Sequence, residues 1–209
     1  MRQSWSTRTI SRIRSLVSDA SGVAAIEFAI IAPVLMVMTF GTFEMSRALI
    51  VHKRFQKAAA IVGDLVSRQE QLGTSYSDAK AQLALMMSAS VQAMVPYSAT
   101  PLQIGIYQFR AKSTDATQTR VEWSYAYHNM PVQSCSLTYT SNSLVPPNLL
   151  SKGDAAVIID ASYQYTPLLT NIIPGLVKQM TWSNTLTFSP RYGSVFYGQA
   201  TQNTTCPPN

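Results

Sequence analysis

The sequence predicts an α+β protein: a long amino-terminal transmembrane helix continuing into a domain with a second helix and a roughly four-stranded antiparallel sheet. Three observations carry this. The run Val23–Phe43 is apolar apart from Glu27, Pro33, Thr39, Gly41 and Thr42. As a helix rising 1.5 Å per residue it spans about 31 Å, the thickness of a bilayer's hydrocarbon core. Beyond it, apolar residues recur at helical spacing as far as about Glu70 and again over 77–94. After Pro101 the period changes to two, in four runs separated by turn-rich links. The predicted organisation is a basic leader over 1–22, a membrane helix over 23–43 and an extracytoplasmic domain over 44–209.

The leader is polar and rich in serine, with Arg2, Arg8, Arg12 and Arg14 against Asp19. It holds half of the +6 net charge, and most of the rest flanks the far end of the span at Arg47, Lys53, Arg54 and Lys57. Basicity placed beside a membrane is not a nucleic-acid footprint, so no nucleic-acid partner is expected. A secretory signal fits poorly because the apolar run exceeds 7–15 residues, although Ser46-Arg47-Ala48 offers a small-x-small site after it. A mitochondrial presequence fits the arginines and leaves Glu27 unexplained. Positive charge nearly balances across the span, so it does not set the orientation.

Within the span, Glu27 is a carboxylate in an apolar run, costly by a few kcal/mol and therefore expected to have a task and a partner. The plain alternative is an anchor whose Glu27 snorkels to the near interface. Pro33 frees the carbonyl of Ala29 and predicts a kink. Gly41 offers a flat spot for another helix. Farther on, Phe55, Ala58, Ala59, Val62, Leu65 and Val66 form one stripe, with Lys53, Arg54, Lys57, Asp64 and Arg68 on the remaining positions. One near-continuous helix to about Glu70 would run roughly 70 Å, with Gly63 weakening it by about 1 kcal/mol.

Leu72-Gly73-Thr74 breaks that helix, and Ser75 and Asp78 have capping-box spacing before a second helix over about Ser77–Met94. Its stripe of Ala79, Leu83, Met86, Met87, Ser90, Val91 and Met94 reads as core. In the first β run Leu102, Ile104 and Ile106 alternate against Gln103, Tyr107 and Phe109. The second places Val121, Trp123, Tyr125 and Tyr127 on one face, the third Val157, Ile159, Tyr163 and Tyr165, the fourth Met180, Trp182, Leu186 and Phe188. One apolar face per run predicts an antiparallel sheet whose other face is wet. Lys112–Gln118, Met130–Asp154 and Thr166–Gly175 read as links, and the tail after Arg191 as mobile unless Cys206 pins it.

Cys135 and Cys206 form no C-x-x-C and have no histidine at metal-ligand spacing, so no metal is expected. A disulfide is the reading if this region lies in an oxidising compartment; two unrelated thiols are the alternative. His52 and His128 are far apart in sequence, Asp154 and Asp160 have no carboxylate assigned to pair with, and nucleophile-elbow, phosphate-loop and H-E-x-x-H motifs are missing. The expectation is a non-catalytic protein without a cofactor.

Gly22 is followed by V-A-A-I-E-F, so Glu27 is fifth after a glycine that follows a basic leader. That arrangement resembles the processing site of type IV prepilins and pseudopilins. More specifically, G-V-A-A-I-E-F-A-I-I-A-P-V-L resembles the TadE-like family, minor pilins or pseudopilins of bacterial tight-adherence (Tad/Flp) pili. A-A-A-I-V-G-D-L-V-S, Y-Q-Y-T-P-L-L and the closing S-P-R are similar to that family more loosely. Phe28 departs from the tyrosine that related pseudopilins often carry. The resemblance implies a pilin-like domain in the periplasm, an inner-membrane helix with its amino terminus cytoplasmic, and cleavage between Gly22 and Val23 by a prepilin peptidase, with methylation of the new amine. It implies further that Glu27, Phe28, Pro33 and Gly41 pack against other pilin subunits and the pilus assembly machinery. Two readings of other classes stay open: an unprocessed single-pass protein presenting a periplasmic binding or sensing domain, and a membrane-tethered enzyme.

Overall fold

Helix α1 runs from Ala20 to Ser67 with Pro33 inside it, in a computed structural model that describes residues 20–168, 170, 178–198 and 206. The leader as far as Asp19 lies outside the described residues. Residues 1–47 and 48–209 form two units. In the first, the large apolar side chains from Val23 to Met45 are about half to two-thirds exposed. This stretch is apolar on all sides, with a mean hydropathy of 2.3 over its most apolar window, none of it buried. Three hydroxyls that such a helix would otherwise leave unsatisfied turn back on it. Thr39, Thr42 and Ser46 donate to the carbonyls of Leu35, Met38 and Thr42 at 2.8–2.9 Å.

The second unit is built on the rest of α1. Its apolar stripe becomes core: Val51, Phe55, Ala58, Ala59, Val62 and Val66 are all at most 1% exposed. After Ser67 come the short strand β1 (Gln71–Leu72) and helix α2 (Tyr76–Met94). Ser75 caps α2, accepting the Asp78 amide at 3.2 Å, while Thr74 donates to the Asp78 carboxylate at 2.9 Å. Those hydroxyls hold the Asp78 carboxyl below the usual range. Ala79, Leu83, Met87, Ser90 and Met94 face the core, as their spacing requires.

Five antiparallel strands follow: β2 (Leu102–Ala111), β3 (Thr119–Tyr127), β4 (Ser136–Thr140), β5 (Ala155–Tyr165) and β6 (Met180–Phe188), in spatial order β4-β3-β2-β5-β6. β2 and β5 sit inside the sheet and are buried on both sides over much of their length, whereas the edge strand β6 alternates. One face packs on the two helices, where Leu102, Ile104, Ile106, Trp123, Val157, Ile159 and Ala161 complete the main core.

The sheet departs from expectation in three places. It has a fifth strand, β4, inside the stretch read as a link. Its far face is only partly wet: Tyr107, Phe109, Val121 and Ile158 form a second small core under Val132, Leu144 and Val145. And Val121 does not share a face with Trp123. The β2–β3 register slips between Gln108 and Phe109, which pair with Trp123 and Val121, leaving Glu122 as an extra residue. A bulge of this kind interrupts the two-residue alternation, so an apolar residue on each side of it points to a different core.

The chain then returns. β7 (Phe196–Tyr197) pairs in parallel with β1, Gln71 beside Phe196 and Leu72 beside Tyr197. Val195 is fully buried, and Ser194 and Tyr197 nearly so. Arg191 donates its amide to the carbonyl of Ser67 at 2.8 Å, satisfying one of the open acceptors at the end of α1. Cys206 is disulfide-bonded to Cys135 across a separation of 71 residues, with the Cα atoms 5.5 Å apart. Closing a loop of that length contributes about 4 kcal/mol on the chain-entropy estimate.

Candidate functional site

The residues singled out by the sequence fall on α1 in the first unit. Gly22 and Val23 are helical, within the stretch of α1 described from Ala20 onward. Glu27 follows one turn later. Among the described residues it makes no ion pair and no hydrogen bond, and no Lys, Arg or His occurs between Val23 and Phe43. Phe28 and Pro33 are exposed, Phe28 by 67%. Gly41 has open space where a Cβ would stand, so its flat spot is available to a neighbouring helix. The next carboxylate along, Glu44, contrasts with Glu27: it is buried and lies 3.7 Å from Arg47.

In the second unit both histidines are engaged in packing. His52 meets Trp182 edge-on at 5.0 Å, and Trp182 in turn stacks on Tyr165 at 4.9 Å. His128 stacks on Tyr127, and its Nδ1 lies 3.0 Å from the carbonyl of Leu102. Asp160 lies on the wet face of β5, accepts from Thr185 at 3.3 Å, and has its carboxyl raised above the usual range by burial. Asp154 gives its carbonyl to the amide of Ala111 at the end of β2.

One polar cluster was not visible in the sequence. Glu122, the bulged residue, is buried and accepts from Arg110 Nε at 2.6 Å, from Arg120 at 2.9 Å and from Gln108 Nε2 at 2.6 Å. Gln108 also donates to Ser194 Oγ at 2.7 Å and accepts the amide of Val195 at 2.7 Å. Trp123 donates its indole N–H to the carbonyl of Val195 at 2.9 Å. A charged residue beside an apolar one in a β run was the available signal. These contacts lie inside the fold, and the cluster fastens the segment 194–197 to the sheet. It is architecture.

Taken together, these features define a membrane-anchored protein with, among the described residues, one helix long and apolar enough to cross a membrane, and an α+β domain. Its notable site is a glycine–glutamate pair in the exposed helix. The sequence profile of the family described as TadE-like protein matches residues 22–63, from that glycine into the buried half of α1. Over that stretch, about a fifth of its length, the chain is similar to the TadE-like family. No curated protein and no solved structure matches it.

Proposed function

We propose that this chain is a minor pilin or pseudopilin of a bacterial Tad/Flp pilus system, a non-catalytic subunit on which a prepilin peptidase acts. The observation that carries the reading is Glu27: a lone carboxylate on an otherwise apolar, exposed helix, at the fifth position after Gly22. The peptidase cuts between Gly22 and Val23. Glycine suits that position because it carries no Cβ to crowd an approaching protease. The domain over 44–209 then lies in the periplasm, the helix spans the inner membrane, and the partners are other pilin subunits and the assembly machinery.

Glu27 lies about 6 Å along the axis from Val23. Among lipid-embedded helices its carboxylate requires a cation or a strong donor to offset desolvation. The span supplies no cation of its own. The amine freed at Val23 by cleavage, on a neighbouring subunit displaced by about a turn, is a cation of the right size. A subunit in the wrong register leaves the carboxylate unpaired, so the pair sets register as well as contact.

The test uses the full chain in a cell that carries the peptidase. Glu27→Gln is expected to be cut and inserted as wild type and to fail to co-purify with its partner subunits. Gly22→Val is expected to keep its leader. Amino-terminal sequencing of the membrane protein reads the first outcome, and co-purification the second. Wild-type protein that still begins at Met1 would overturn the processing step and favour an unprocessed anchor presenting a periplasmic domain. Full assembly by Glu27→Gln would overturn the ion pair.

A further inference from the structure

We propose that β6 is a self-association edge: Met180–Phe188 pairs antiparallel with the same strand of a second copy, about a two-fold axis through Asn184. This rests on the sheet alone and stands whether or not the leader is cleaved. β6 is the last strand on its side of the sheet, and its inner side is paired without a break from Val157 beside Phe188 to Tyr165 beside Met180. Among the described residues no strand and no backbone hydrogen bond occupies its outer side.

Exposed edges are normally guarded by charges, prolines, bulges or brevity, because an open row of amides and carbonyls is a template for another strand. The other edge, β4, is guarded. It is five residues long, its ladder to β3 is irregular, Cys135 ties the chain just before it, and Arg120 covers Tyr139. β6 is nine residues long, and Gln179–Ser189 contains no charge, no proline and no glycine. It is also held rigid. Trp182 is stacked on Tyr165, and the ring of Phe188 lies against Gly63, so pairing orders little that is not already ordered.

The occupant follows from the order of side chains. Met180, Trp182, Leu186 and Phe188 alternate with Thr181, Ser183, Thr185 and Thr187, and Asn184 stands at the centre. Antiparallel pairing about Asn184 puts Met180 opposite Phe188, Trp182 opposite Leu186, and each hydroxyl residue opposite another. The two Asn184 amides, each with a donor and an acceptor, meet on the axis. A slip of one residue would join the apolar face of one copy to the hydroxyl face of the other. A slip of two would set Asn184 against Leu186 or Trp182. The strand is its own best complement, which is what a two-fold contact requires.

The test uses the full chain in detergent or nanodiscs, with the native disulfide intact so that an added thiol is the only free one. Asn184→Cys brings two thiols together on the axis, where directly opposed Cα atoms lie about 4.5–5.5 Å apart. It is expected to give a cross-linked dimer on a non-reducing gel. Thr181→Cys places its two copies about 20 Å apart, and is expected to cross-link at least about tenfold less. Asn184→Lys sets two ammonium groups face to face, and is expected to release amide-exchange protection at the alternate, outward-facing amides of 180–188 while those bonded to β5 and the rest of the sheet stay protected. A dimer held only by α1 would cross-link both cysteine variants alike. Equal cross-linking of Asn184→Cys and Thr181→Cys, or β6 exchange unchanged by Asn184→Lys, would overturn the proposal.

Discussion

The two halves of α1 meet their surroundings in opposite ways. From Val23 to Phe43 the helix is apolar all round, and its polar hydroxyls are satisfied by its own carbonyls four residues back. From Val51 to Ser67 it is apolar on one stripe, and its polar groups reach other elements. Arg54 donates to the carbonyls of Ala93 and Val95 and lies over the ring of Tyr97, and the carbonyl of Ser67 accepts from Arg191. The hydroxyls of the first half find their acceptors within the helix, which suits a segment surrounded by lipid. The second depends on neighbours. Glu27 is the exception in the first half, and for that reason the residue most in need of a partner.

This contrast yields expectations that differ between the halves. The largest effect belongs to Glu122. Glu122→Gln removes a buried carboxylate from between Arg110 and Arg120, and is expected to lower unfolding stability of the second unit by about 3–5 kcal/mol. Urea titration of the detergent-solubilised chain, followed by tryptophan fluorescence, reads it. Glu27→Gln in the same assay should leave the transition in place; an equal loss would mean that the halves are not independent.

Next come the two glycines of α1. A Cβ at Gly63 would stand 2.0–2.5 Å from the ring carbons of Phe188, whereas one at Gly41 meets nothing within 4 Å. Gly63→Ala is therefore expected to cost about 1–3 kcal/mol of overpacking, less up to about 1 kcal/mol of regained helix propensity. Gly41→Ala, by contrast, should not lower the urea midpoint. Adding Phe188→Ala to Gly63→Ala should cost less than the two separate losses combined; strict additivity would remove Phe188 as the cause.

The smallest effect is on the wet face. Burial raises the Asp160 carboxyl, with Thr185 opposing the shift. A carboxyl with a raised folded value favours the folded state below the ordinary aspartate range and loses that contribution as pH rises through its folded value. Asp160→Asn should thus raise the melting temperature slightly at neutral pH, with the gain shrinking towards pH 3. A gain that stayed constant with pH would assign the effect to something other than charge.

Much of this architecture was legible. The long helix, the cap at Ser75 and four strands follow from period, length and turn chemistry. What was not legible depended on partners distant in sequence. β4 is only Ser136–Thr140, mostly exposed, so it lacks the alternation that marks a strand. β1 and β7 are two residues each and exist because they meet one another. Val121 and Trp123 look like one face until the bulge at Glu122 separates them. Gly63 reads locally as a weakness in a helix; the ring of Phe188, far along the chain, makes it a fit. For the site, the glycine–glutamate spacing was plain in the sequence, and the geometry adds that the Gly22–Val23 bond sits in a helical turn.

The segment 194–197 also sets a clock. Gln71 and Leu72 pair with residues about 125 positions later, and Trp123 and Gln108 receive their final partners only when Val195 exists. A ribosome adding about 5–20 residues per second reaches Tyr197 roughly 6–25 s after Leu72. During that interval both helices and the first strands have been made, but the sheet end around Trp123 is open and the carbonyl of Ser67 waits for Arg191. Completion of the second unit is therefore timed by the arrival of its last short strand, and a chain halted before it would display an unsealed core to whatever chaperone or protease is at hand.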